Sequence, residues 1–151
     1  MSVSETNGGT MEFAPGPDEW RHFQLMSNEL NTPKVLICPT DWASARAWAT
    51  NFSMLENSNL SYFIGPDVSE TDPQGLLSGD RNITNGTPIR NGILELTTNT
   101  PASWTAEMHN KVGNILLSDG SVQQITWFGL RTAVANTSNF TNRLQMPTLN
   151  P

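Results

Sequence analysis

The chain has 151 residues, enough for one domain with its own core and too few for two. Eight Lys and Arg stand against fourteen Asp and Glu, a formal net charge of -6, which repels phosphate backbones and anionic membranes and argues against nucleic acid as a partner. Charged residues are only 15% of the total, so Asn, Ser, Thr and Gln supply the polarity, a composition that favours turns and β edges over a bundle of Glu- and Lys-rich helices.

Residues 1–16, broken by "NGG" and "PGP", read as a loop or ordered tail. In "PDEWRHFQLMSNEL" the Pro17, Asp18 and Glu19 triplet suits a helix start, and Trp20, Phe23, Met26 or Ser27, and Leu30 then recur on one face. An amphipathic helix over 17–30 is expected. "KVLICP" predicts a strand or extended core segment closed by Pro39, and its apolar setting predicts a buried, inert thiol at Cys38, the sole cysteine. In "TDWASARAWATNF", Asp41 as N-cap with Trp42, Ala45, Trp48 or Ala49, and Phe52 at helical spacing predicts a second short helix.

"NLSYFIG" suits a strand covered on both faces, "DVSETDPQG" an acidic loop, and "LLSGDRNIT" a short strand with a Gly-Asp kink. "ILELTT" turns Leu94 and Leu96 inward. Asp119-Gly120 between "GNILL" and "VQQITWF" is a hairpin signal, because glycine adopts positive φ without strain. "GLRTAVANT" reads as a helix with Leu130 and Val134 facing in, and residues 137–151 as a C-terminal tail covering the surface. Helices followed by an antiparallel meander give an α+β class in one domain, 1–151.

His109 and Asp119 are the first candidates for chemistry, since a histidine oriented by a carboxylate can act as a base. A nucleophile or metal must complete such a hydrolase site, and neither a G-x-S-x-G elbow nor an H-E-x-x-H pair occurs. The simpler expectation is that His109 packs and bonds near the hairpin while Asp119 and Gly120 form its turn, with no catalytic residue. Asp67, Glu70, Asp72 and Asp80 could offer oxygens to calcium, but their spacing is not that of an EF-hand, and solvated turn carboxylates are the plainer reading. Asp80 and Arg81, adjacent on a strand, should each pair elsewhere in the fold. Of five tryptophans, Trp20, Trp42 and Trp48 have core spacing, which leaves Trp104 and Trp127 as candidates for an exposed carbohydrate platform. The sequons at Asn82 and Asn85 carry weight only in a eukaryotic secretory setting.

His109, nine intervening residues and Asp119-Gly120 resemble the C-terminal His-x9-Asp-Gly signature of bacterial prepilin-like proteins of type II secretion pseudopili and type IV pili. "RHFQLMSNELNTPKVLICPTD", "LSYFIGPDVSETDPQGLLSGDRNITNG" and "NGILELTTNTPASWTAEMHNKVGNILLSDGSVQQI" are similar to successive blocks of one branch of that group, over about residues 11 to 146. The resemblance implies a pilin-like fold, in which a long N-terminal helix anchors the precursor in the inner membrane, later forms the filament core, and carries an antiparallel sheet on its C-terminal half. It implies a structural, non-catalytic subunit whose partners are other pilin-like subunits and the inner-membrane assembly machinery, with the head periplasmic or extracellular. Major pseudopilins carry calcium in a C-terminal loop, but no ligand set transfers to residues of this chain, and no other cofactor is implied. The long helix and its processing site do not occur in this sequence, so the expectation is a head domain alone, soluble as it stands. The alternative is a secreted carbohydrate- or surface-binding module.

Overall fold

A computed structural model describes residues 3–44 and 46–149, with the side chains of residues 42–44 outside the description. Short 3-10 turns at Glu5–Asn7 and Met11–Phe13 lead into helices α1 (Trp20–Leu25) and α2 (Ser27–Leu30). Strands β1 (Tyr62–Ile64), β2 (Leu76–Asp80), β3 (Ile83–Thr84), β4 (Ile93–Thr97), β5 (Ser103–Trp104), β6 (Gly113–Leu117) and β7 (Val122–Ile125) follow, then helix α3 (Trp127–Asn136) and strand β8 (Thr141–Gln145). Six strands form one antiparallel sheet in the order β4-β8-β1-β2-β6-β7, and β3 pairs with β5 in a small second sheet. The architecture is α+β.

The sheet sorts its side chains by the two-residue period of a strand. One face carries Phe63, Leu76, Leu94, Leu96, Ile115, Leu117 and Leu144 into the main core, which α3 closes with Leu130 and Val134. Ile83 and Trp104 of the small sheet complete it. On the opposite face Ile64 joins Phe23, Leu36, Ala49, Leu55 and Leu60 in a second cluster beneath α1. The strand in "NLSYFIG" is therefore covered on both faces, and the inward pair in "ILELTT" is Leu94 and Leu96. A β-carbon at Gly79 would stand 2.7 Å from the Asn114 carbonyl oxygen and 2.8 Å from the Phe63 ring, so only glycine lets β2 and β6 approach there.

The expected hairpin is present: β6 and β7 pair from Gly113↔Ile125 to Leu116↔Val122, and Gly120 takes φ 86° at the turn. Helix α3 begins earlier than "GLRTAVANT" suggested, at Trp127, with the Thr126 hydroxyl accepting from the Gly129 N–H as N-cap.

Four expectations need correction. The helix over 17–30 starts only at Trp20, breaks at Met26 and ends at Asn31, which takes φ 60° as a left-handed cap. "KVLICP" is an extended core segment only from Ile37 and not a strand: Pro33–Leu36 forms a 3-10 turn capped by Thr32, after which Ile37 is extended, and Leu36, Ile37 and Cys38 are buried as expected. The helix at 41–52 is replaced by 3-10 turns at Pro39–Ser44 and Phe52–Met54. Between them Arg46 is buried and donates to the carbonyls of Asn57, Leu60 and Pro147, tertiary bonds that a helix through this stretch would forgo. Trp48 is consequently exposed, with Lys34 6.0 Å above its ring, while Ala45 and the Trp42 side chain lie outside the described residues. Finally, the tail at 137–151 does not merely cover the surface: its residues 141–145 are β8, inserted between β4 and β1 with Leu144 and Gln145 buried.

Candidate functional site

The functional candidates gather over the second face of the sheet, on its β2-β6-β7 side. Cross-strand register places Ile64, Ser78, Leu116 and Val122 in one row, and Tyr62 opposite Asp80 in the next. Helix α1 and its cluster cover the β1 end. Toward β7 the face opens into a groove of about 370 Å³ lined by Cys38, Tyr62, Asp80, His109, Leu116 and Val122, among others.

Three segments distant in sequence supply its polar end. His109, Asn110 and Lys111 all take positive φ, 49°, 52° and 67°, on the approach to β6. Successive left-handed residues that are not glycine are costly, so the surrounding structure must hold them. The Asn82 side-chain amide does so by donating to the carbonyls of Thr105, Met108 and Val112, bracketing His109. His109 Nε2 then lies 3.3 Å from Cys38 Sγ and 3.4 Å from Asp80 Oδ2. Asp80 is buried at the end of β2, where its Oδ2 accepts from the Asn114 backbone N–H and side-chain amide. Burial raises the Asp80 carboxyl above its usual range, while the Asn114 donors and the His109 imidazole pull the other way. Cys38 receives a second contact from Thr40 Oγ1 at 3.1 Å, and its backbone N–H donates to Ser61 Oγ.

Beside this cluster lies a buried ion network. Asp41 is fully buried and accepts from the Arg81 Nε and Nη2 at 2.8 and 2.5 Å and from the Ser61 hydroxyl at 2.8 Å. Arg81 also reaches Glu107 at 2.8 Å, and Arg46 Nε lies 3.6 Å from Asp41. Burial lowers the Arg46 guanidinium to about 10 despite the nearby Asp41 and Glu19 charges. The adjacent Asp80 and Arg81 thus do pair elsewhere, as expected, each with a different part of the chain.

The structure separates His109 from Asp119. Asp119 is exposed at the hairpin tip, where its Oδ1 accepts from the Ser121 N–H, at the far end of β6 from His109. The carboxylate that meets His109 is Asp80. Its geometry is not that of a hydrolytic triad, in which the carboxylate and the nucleophile occupy different ring nitrogens. Here sulfur and carboxylate oxygen face the same nitrogen, an arrangement suited to Nε2 carrying the proton and donating toward both.

The acidic loop disperses as well. Asp67 forms a paired contact with Arg143, Asp72 accepts from the Ser138 N–H, and Asp80 belongs to the cluster above. Among the described residues no group of three or more His, Cys, Asp or Glu side chains is arranged to hold a metal ion. Trp104, a candidate for exposed contact, is 3% exposed and lies in the main core, whereas Trp127 is half exposed with Arg131 stacked 4.9 Å from its ring. Asn82 is buried with its amide occupied, so its sequon offers no acceptor to a glycan. No family model matches the chain, and no curated protein or solved structure is found to be similar to it. Among the described residues no helix is long and apolar enough to cross a membrane.

Sequence reasoning picked out Cys38, Asp80, Arg81 and His109 separately and missed their convergence. It missed Arg46 altogether, and read Asn82 only as a sequon, not as the amide that binds the carbonyls around His109. Arg46 sits in an Ala-rich run that looks helical, and Asn82 looks like one of many polar turn residues; neither has a local signal for the carbonyls it binds.

Proposed function

We propose that the chain is the globular head of a pilin-like subunit, of a type II secretion pseudopilus or a type IV pilus-like filament, with an assembly role rather than a catalytic one. The observation that supports this most is the meeting of the three blocks that carry the resemblance. Cys38 and Asp41 come from the first, Asp80 and Arg81 from the second, and His109 from the third, and they interlock as Arg81 with Asp41 and His109 with both Cys38 and Asp80. Contacts of this kind, the longest between Cys38 and His109 across 71 residues of sequence, are what the reading expects of blocks that act as one structural set. The interval between His109 and Asp119-Gly120 spans β6 and its turn, as a strand-plus-hairpin spacing requires.

The partners on this reading are further subunits of the same filament and an inner-membrane assembly machinery, with the head in the periplasm or outside the cell. The decisive experiment tags the complete reading frame that contains this chain, expresses it in its own bacterium and probes sheared surface filaments for the tag. The expected result is a tagged subunit in the filament fraction and a frame that includes an apolar stretch of about 20 residues behind a short basic leader. A frame opening at Met1, or a tag confined to the soluble fraction, overturns the proposal. The carbohydrate-binding reading loses Trp104 to the core, and a glycan array on the isolated chain is expected to show no selective binding.

A further inference from the structure

The two edges of the six-stranded sheet are finished differently. At β4 the outer backbone groups are occupied: the Asn85 side-chain amide donates to the Glu95 carbonyl, the Thr97 N–H donates to Thr100 Oγ1, and Arg90 and Ile93 exchange backbone bonds. The exposed Glu95 carboxylate guards the same edge, a common protection against pairing with another chain. The β7 edge has no such finish. The Leu117 N–H donates to the Ser121 carbonyl, so the alternation of an antiparallel ladder turns Gln123 and Ile125 toward β6 and turns the N–H and C=O groups of Val122 and Gln124 away from it. Val122, Gln123 and Gln124 are exposed, no strand lies beyond β7, and among the described residues no hydrogen bond reaches the outer groups of Val122 and Gln124. We propose that β7 is a homotypic docking edge, on which a second copy of this chain lays its own β7 antiparallel and joins the two six-stranded sheets into one.

Charge and register both select a second copy. Each chain carries a net charge of -6, so two copies repel one another, yet residues 120–130 contain no charged side chain. A two-fold axis through the Gln123 position, normal to the sheet, sets Val122 of each copy opposite Gln124 of the other, and these residues exchange their outer N–H and C=O groups as hydrogen-bonded pairs. Gln123 then faces its own counterpart at a non-hydrogen-bonded pair, where side chains stand closest and the two amides can bond each other. No other register does as well. A slip of one residue sets side chains of opposite faces against each other, and a slip of two sets Val122 opposite Thr126, the α3 N-cap, or Gln124 opposite Gly120 in the turn. The same register carries the exposed Trp127 and Phe128 toward the 119–121 turn of the second copy. The contact is isologous and closes at two chains, and it rests on the sheet edge alone, apart from the filament reading.

Sedimentation equilibrium of the whole chain from about 10 µM to about 1 mM tests this, since an edge contact of this size is expected to be weak, with half the chains paired at about 100 µM. Gln123→Lys, at an exposed side chain, sets like charges opposite each other and is expected to weaken the dimer at least about tenfold with the guanidinium midpoint unchanged; Gln123→Glu is expected to do the same. An equimolar mixture of the two variants brings opposite charges together at the axis and is expected to pair at least as tightly as the parent. In the parent, amide exchange at Val122 and Gln124 is expected to slow as the dimer fills. A chain that is monomeric at about 1 mM overturns the proposal and leaves the edge to an extended segment of another protein. So does a dimer that both variants form as readily as the parent, which uses another surface, and so does a mixture that pairs no better than either variant alone. Should the variants fail to fold, the exchange measurement decides: unchanged rates at Val122 and Gln124 in a dimerised sample overturn the proposal.

Discussion

His109 shows how a single position can carry opposing terms. Its backbone, with those of Asn110 and Lys111, sits in the left-handed region at a cost of about 1–2 kcal/mol per residue, while its imidazole contacts a thiol and a buried carboxylate. The two terms separate by substitution. His109→Ala keeps the strained backbone and loses the contacts, so it is expected to lower stability by about 1–3 kcal/mol. Lys111→Gly removes strain at an exposed side chain and is expected to raise stability by about 0.5–1 kcal/mol, the relief exceeding glycine's entropic penalty. Guanidinium melts of both variants read the opposite signs; a His109→Ala midpoint equal to the parent's would mean that the ring contributes nothing to the fold.

Among the elements, β8 departs furthest from its sequence appearance. "TNRLQ" has one large apolar residue, yet it bridges β4 and β1 and buries Leu144 in the main core. Its partner residues 93–97 lie more than forty positions earlier, and nothing in the local pattern encodes that pairing. Its second buried position is polar: Gln145 donates to the Phe13 carbonyl and meets His22 Nε2 at 3.1 Å, which ties the N-terminal segment to the sheet. A surface-covering tail would tolerate Leu144→Ala, whereas a strand inside the sheet predicts a loss of about 2–5 kcal/mol, measurable by chemical denaturation. The stretch at 41–52 fails in the reverse direction, since its helical spacing is strong but Arg46 finds three carbonyls that only a non-helical path lets it reach.

For the molecule as a whole, buried ionisable groups set how stability varies with pH. Glu19 is fully buried, and desolvation raises its carboxyl well above the ordinary value, offset only in part by the Arg46 charge and the Ile64 N–H. A raised folded value means that the folded chain holds a proton the unfolded chain has released. The contribution is therefore fully present below the ordinary carboxylate value of 4.5 and is lost as pH rises through the folded value. Glu19→Gln, which cannot ionise, is expected to melt higher than the parent at neutral pH and to converge with it below about pH 4.5. His22 works in the opposite sense: burial lowers it despite the Gln145 bond, so its contribution is present above 6.5 and is lost as pH falls. Thermal melts across this range separate the two, and a Glu19→Gln chain with the parent's pH dependence would show that Glu19 is not the responsible group.

Local chemistry in the sequence was sufficient for the α+β class, the Asp119-Gly120 hairpin, the inward Leu94 and Leu96, and the buried face of α3, because each rests on periodicity or turn preference within a few residues. The position of β8, the irregular path at 41–52 and the meeting of Cys38, Asp80 and His109 had no such local cause. They depend on bonds between segments 40 to 101 residues apart, such as Arg46 to Pro147 and Arg81 to Asp41, whose energies exist only once the chain has folded around them.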